Sequence, residues 1–187
     1  PSIGLNAARE ALAAHYSTSG NLIHSKDIFI TSGCSDALNI SIGVLANEGQ
    51  NILIPIPGFS LYETLASSKG IECKFYNLLP DSKWEIDLDH LESLIDGKTA
   101  AILLNNPSNP CGSNYSMQHL LDVLKIAEKH RISIISDEIY ANMVFEGEQF
   151  FPLASLSKNV PILTCGGLAK RYLVPGWRVS ILILTYF

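Results

Sequence analysis

Seven short runs of apolar and β-branched residues, most of them separated by stretches with helical spacing, limit what this chain can become more than any other feature. The runs are Asp27–Thr31, Asn51–Pro55, Glu72–Tyr76, Thr99–Leu104, Ile132–Ser136, Pro161–Cys165 and Arg178–Leu184, each bounded by Gly, Pro, Asn or Ser. Helical patterns fall at Asn6–Tyr16, Asp36–Ala46, Ser60–Ser67, Leu88–Ile95 and Ser116–His130. A strand that is hydrophobic at nearly every position must be covered on both faces, and the intervening helices are the available cover. The expected fold is therefore α/β, a three-layer α/β/α arrangement around a mainly parallel sheet of about seven strands. Ligands of such sheets gather beyond the carboxyl ends of the strands. With 187 residues, 47% of them hydrophobic, and no linker-like stretch, one domain over residues 1–187 is the simplest organisation.

The net charge of -5 and the absence of a Lys/Arg run disfavour nucleic acid or an anionic membrane as partner. Cys34, Cys73, Cys111 and Cys165 lie far apart and form no C-x-x-C pair, so free, buried thiols in a reducing compartment are expected instead of disulfides or zinc. No apolar run approaches the roughly 20 residues that span a bilayer, and Pro1-Ser2-Ile3-Gly4 resembles no signal peptide. The expected location is the cytoplasm. The chain opens without methionine and stops on the strand-like run Ile181–Phe187, which reads as part of a longer protein.

Four segments carry chemistry. Ser32-Gly33-Cys34-Ser35-Asp36-Ala37 follows a strand and opens a helix, where unpaired N–H groups cradle a phosphate; a helix N-cap by Ser35 is the competing reading. Asn105-Asn106-Pro107-Ser108-Asn109-Pro110-Cys111-Gly112 either ends a strand or holds the Asn109 amide at the sheet's ligand edge. Ser136-Asp137-Glu138-Ile139-Tyr140 sets a carboxylate and a phenol three residues apart at the end of a strand expected to be central. Asp137 there either caps a helix or, if buried, needs a positive partner or strong donors. The stretch Cys165–Arg178 brings Lys170 and Arg178 through an irregular Gly/Pro loop directly after a strand, and a lysine shielded from water can form a Schiff base with an aldehyde.

Taken together and in order, these segments, with Pro55-Ile56-Pro57-Gly58-Phe59-Ser60-Leu61-Tyr62, resemble the fold-type I pyridoxal-phosphate aminotransferases, and within them the tyrosine aminotransferase branch. The resemblance covers nearly the whole chain and extends into Trp84-Glu85-Ile86-Asp87-Leu88. It implies the cofactor-binding major domain of such an enzyme and a homodimer. It also implies transfer of an amino group from an aromatic amino acid such as tyrosine to a 2-oxo acid such as 2-oxoglutarate. By the same resemblance Lys170 is the lysine of the internal aldimine and the proton carrier, and Asp137 faces the pyridine nitrogen. Asn109 and Tyr140 bond the ring's phenolic oxygen, while Phe59 stacks on one ring face and Ile139 packs the other. Cys34, Ser35 and Arg178 hold the phosphate. The catalytic set implied is thus Lys170, Asp137 and Tyr140.

The chain departs from the pattern in two places. Gly167 stands where many relatives have a phosphate-binding serine, and Val179-Ser180-Ile181 stands where the branch usually has a Gly-Trp pair. The resemblance also puts the family's substrate-carboxylate arginine after Phe187 and its N-terminal arm before Pro1. Two alternatives stay open on sequence: a lyase or synthase of the same fold, and a truncated, non-catalytic cofactor-binding or dimerising module. Other features read blandly. Gly97-Lys98-Thr99 lacks the upstream glycine of a P-loop and leads into a strand, the five histidines show no ligand spacing and read as surface residues, and Leu38, Ile42 and Leu45 read as core.

Overall fold

The computed structural model describes residues 2–18, 20–141 and 143–186; Pro1 and Phe187, which end the terminal segments read above, lie outside the described residues. Its strands are β1 (Ile28–Ser32), β2 (Asn51–Ile56), β3 (Glu72–Leu79), β4 (Glu85–Ile86), β5 (Thr99–Asn105), β6 (Ser133–Asp137), β7 (Ile162–Gly167) and β8 (Val179–Thr185). They form one sheet in the order β1-β8-β7-β6-β5-β2-β3-β4. The pairs from β7 through β6, β5 and β2 to β3 are parallel, while β8 runs antiparallel to both β7 and β1, and β4 antiparallel to β3. The seven expected strands are present. The eighth, β4, is a two-residue edge strand too short to show any period.

Helices α1 (Asn6–Tyr16), α2 (Cys34–Leu45), α3 (Leu61–Ser67), α4 (Leu88–Ser93) and α5 (Met117–His130) match the helical patterns, and two one-turn helices, α6 (Leu153–Leu156) and α7 (Leu168–Arg171), add to them. Local chemistry accounts for the ends. Ser116 accepts from the His119 N–H at 3.2 Å and Asp87 from the His90 N–H at 3.0 Å, each satisfying a donor that the first helical turn leaves free. Helix α5 buries Leu120, Val123, Leu124 and Ala127, an i, i+3, i+4, i+7 stripe, and ends where Arg131 turns left-handed at φ 56°. Among the described residues no helix is long and apolar enough to cross a membrane.

Strand alternation sends neighbouring side chains to opposite faces. On one face Leu53, Ile102, Leu104, Ile134 and Ile162 pack beneath α4, α5 and α6; on the other Ile52, Ile54, Leu103, Ile135 and Leu163 pack against α2 and α3. Burying one such Leu or Ile fully contributes about 1.5–3 kcal/mol, so each layer is held by a double seam of side chains. The histidine expectation fails at one position. His119 is buried, its Nε2 accepts from the Ile86 N–H at 3.0 Å, and burial lowers its pKa, so it is a neutral structural residue that ties β4 to α5.

Parity also separates two adjacent acids at the end of β6. Asp137 shares the face of Ile135, beneath α2 and α3, and Glu138 turns to the opposite face, into a cavity of about 280 Å³ lined in part by Tyr16, Thr164 and Arg171. Burial, with a smaller push from Asp137, raises the Glu138 carboxyl to about 7, against donors from the Leu153 N–H and the Ser136 hydroxyl. The folded state therefore holds this proton more tightly than the unfolded chain. The stabilisation is complete below an unfolded pKa near 4.5 and is lost as pH rises through about 7, a change of roughly 3 kcal/mol. Urea unfolding between pH 4.5 and 7 should show stability of the wild type falling more steeply than that of Glu138→Gln; parallel curves would refute the assignment.

Candidate active site

The carboxyl ends of β5, β6 and β7 and the first turn of α2 open onto a cavity of about 250 Å³. Its lining includes every residue the resemblance assigned: Cys34, Ser35, Phe59, Asn109, Asp137, Ile139, Tyr140, Lys170 and Arg178. It also includes Leu38, Tyr62, Asn105 and Ala169, to which the sequence reading gave no place in the site. Leu38, expected in the core, is buried on the inner face of α2 and also borders the cavity.

Asp137 is the most constrained group. Register places it beside Asn105 on β5 and Cys165 on β7, at the centre of the parallel strands. It is buried, and burial raises its pKa. Three donors oppose that rise: the Tyr62 hydroxyl at 2.8 Å, the Ile139 N–H at 3.2 Å and the Cys34 thiol at 3.7 Å. The same burial and the neighbouring carboxylate push the Tyr62 phenol and the Cys34 thiol well above their ordinary values, so both remain protonated donors. These donors, of which the Tyr62 hydroxyl is the shortest and the thiol a weak one, reduce the rise without cancelling it, and among the described residues Asp137 forms no ion pair with Lys, Arg or His. It caps no helix among those described. Tyr62 carried no separate signal in the sequence, because a tyrosine on an amphipathic helix reads as core.

At the other end of the cavity the chain gathers positive potential. Ser35 is not the cap of α2: the helix begins at Cys34 with Gly33 as its cap, and no side chain caps it. Gly33 adopts φ 85°, which suits glycine, and a Cβ there would collide with the Arg178 guanidinium. Glycine thus allows the guanidinium to lie against the start of α2, so a cationic side chain and free helical N–H groups converge beside Cys34 and Ser35.

Lys170 departs from the expected irregular loop. It sits in the one-turn helix α7 directly after β7, is exposed at the cavity wall, and holds Nζ 5.5 Å from the centroid of the Tyr140 ring. Phe59, exposed, meets Tyr62 edge to face with centroids 5.7 Å apart, which links the aromatic wall to the donor on Asp137. The two departures in sequence are neighbours in space. Gly167 pairs with Ser180 across β7 and β8, and the buried Ser180 side chain fills the space that a side chain at position 167 would need.

Comparison with known proteins agrees with this geometry. The family model "Aminotransferase class I and II" matches residues 1–185. Tyrosine aminotransferase of Mus musculus is 57% identical over 184 residues and that of Homo sapiens 55%; each alignment takes in 98% of this chain and 40% of the relative. The chain therefore spans well under half the length of these relatives. Among solved structures, tyrosine aminotransferase from Leishmania infantum superposes with a TM-score of 0.95 at 39% identity, covering 98% of this chain and 51% of that one. An alanine aminotransferase from Pyrococcus furiosus superposes with a TM-score of 0.94 at 34% identity, covering 98% and 47%. With the sheet order, the cavity at its carboxyl edge and a family match over nearly the whole chain, this protein belongs to the class I and II aminotransferases.

Proposed function

We propose that this chain is the cofactor-holding part of a pyridoxal-phosphate aminotransferase that takes the amino group of an aromatic amino acid, tyrosine foremost, and passes it to a 2-oxo acid such as 2-oxoglutarate. The observation that carries the proposal is the buried Asp137 carboxylate, which is supplied with donors but has no ion-pair partner among the described residues. A protonated pyridine nitrogen fits that wall of the cavity, and a phosphate fits the opposite end, where Arg178 meets the first turn of α2.

Bound there, pyridoxal phosphate supplies an aldehyde for amines and a ring that accepts electrons from the carbon losing its proton. The chain's own residues do the rest. Asp137 keeps the proton on the ring nitrogen, because a carboxylate fixed by Tyr62, Cys34 and the Ile139 N–H is more stable beside a cation than alone. Arg178, Ser35 and the N–H groups of Cys34 and Ser35 anchor the phosphate. Phe59 and Ile139 would pack against the cofactor ring, and Asn109 and Tyr140 would donate to its phenolic oxygen. Lys170 Nζ would be the amine that meets the cofactor's aldehyde and the base that moves the substrate's α-proton.

The aromatic preference rests on the tyrosine aminotransferase names of the relatives. Tyr172, Leu173 and Trp177 project at 56%, 80% and 68% exposure from the segment between Lys170 and Arg178. Apolar side chains so exposed beside the cavity support association into a homodimer through this face.

Two outcomes test the reading. Borohydride reduction of the protein mixed with pyridoxal phosphate, followed by peptide mapping, should label Lys170; a label on another lysine would overturn its role. Asp137→Asn should retain the cofactor but lower turnover at least a hundredfold in the complete enzyme, since a neutral amide cannot hold the ring proton by an ion pair and more than about 2.7 kcal/mol of electrostatic stabilisation is lost. Turnover equal to wild type would remove Asp137 from the mechanism.

A further inference from the structure

We propose that Asn105 is a positioning residue, whose side-chain amide fixes Asn109 relative to Asp137 and so sets where the Asn109 amide meets the ring. The inference rests on the cofactor reading given above. Asn105 is the last residue of β5 and is 2% exposed. It shares the parity of Ala101 and Leu103, so its side chain lies on the cavity face. Its Oδ1 accepts from the Asn109 N–H at 2.6 Å and its Nδ2 donates to the Asp137 carbonyl at 3.2 Å. The orientation of the amide is not in question, because one backbone partner can only donate and the other can only accept.

The neighbouring asparagine does different work. Asn106 follows the opposite parity, and its Oδ1 accepts from the Tyr115 N–H at 2.9 Å, on the far side of the sheet. Its own N–H joins Asn105 at the Asp137 carbonyl, at 3.1 Å. Between them the turn is closed on itself by Ser108 N–H to the Ser113 carbonyl at 2.8 Å and Gly112 N–H to the Ser108 carbonyl at 2.9 Å. The turn is therefore a compact unit, and the Asn105 amide joins its Asn109 corner to the end of β6. Removing that amide leaves a buried N–H and a weakened carbonyl contact, and lets Asn109 drift by the fraction of an ångström that separates a working hydrogen bond from a lost one.

The test uses Asn105→Leu, the milder Asn105→Ser, Asn109→Ala and the double variant Asn105→Leu/Asn109→Ala. Each is mixed with pyridoxal phosphate and read by cofactor affinity and by the pH midpoint of the bound cofactor's visible band, with urea stability followed in parallel. Asn109→Ala should raise the midpoint, because a phenolate oxygen that loses a donor holds the neighbouring proton more tightly. Both Asn105 variants should move it in the same direction and weaken affinity about three- to tenfold, the span of one hydrogen bond. The double variant should move the midpoint no further than Asn109→Ala alone, since both changes remove one interaction. Asn105 variants that lose stability while keeping the wild-type midpoint and affinity would reduce Asn105 to a structural residue, and additive midpoint shifts would show that it does not act through Asn109. A wild-type protein that shows no visible band would overturn the cofactor reading and this inference with it, whereas a normal wild-type band with unmoved variants overturns the inference alone.

Discussion

A carboxylate buried at the end of a central strand is the constraint from which the rest of this site follows. Asp137 cannot be ionised where it stands without donors, and those donors come from elements far apart in the chain: Tyr62 on α3, Cys34 at the start of α2 and the N–H of Ile139 beyond β6. Satisfying one charge therefore fixes the placement of three segments. In return, the cavity they enclose offers a place for a cation at that wall and for an anion at the other, where Arg178 reaches past Gly33. The polarity of the cavity comes from strand parity, which buries Asp137 at one wall, and from a helix start joined by the Arg178 guanidinium at the other.

The fold was legible where physics leaves a long, regular mark. Strand β2 is buried through five successive positions, four of them apolar, and α5 repeats its stripe over about two turns, so both were readable within a residue or two. Two misses share a cause, which is brevity. Strand β4 has two residues and α7 has four, lengths at which neither period can be expressed, so Lys170 was read into a loop when it stands on a helical turn. The cap of α2 was misplaced for another reason: serine is a good cap in general, but here a glycine with positive φ was needed to make room for a side chain from a distant segment.

The site residues divide in the same way. Lys170, Asp137, Asn109 and Arg178 stand in short segments whose order and spacing resemble a known family, and all four line one cavity. Tyr62 and Asn105 were not legible, because each is a common residue in a common place and takes its importance from a partner distant in sequence. Hydrogen bonds of that kind leave no local pattern. They become visible only when register is known, since it is the pairing of Asn105 with Asp137 that tells which side chains can meet.

Strand β8 gives the molecule a particular order of events. Like the two-residue edge strand β4, it runs against the parallel core, but it is inserted between β7, which leads to Lys170, and β1, which leads to Gly33 and the start of α2. Arg178 immediately precedes it. The two halves of the cavity, one formed early in the chain and one late, are therefore joined in the sheet only after this strand has slid into place. A folding chain in which β1 and β7 are both formed but not yet bridged would have a core and a lysine, yet would not have Arg178 against Gly33. Because the pairing of β8 with β1 is non-local in sequence, its closure belongs among the slower steps of assembly, and the cavity should be completed late.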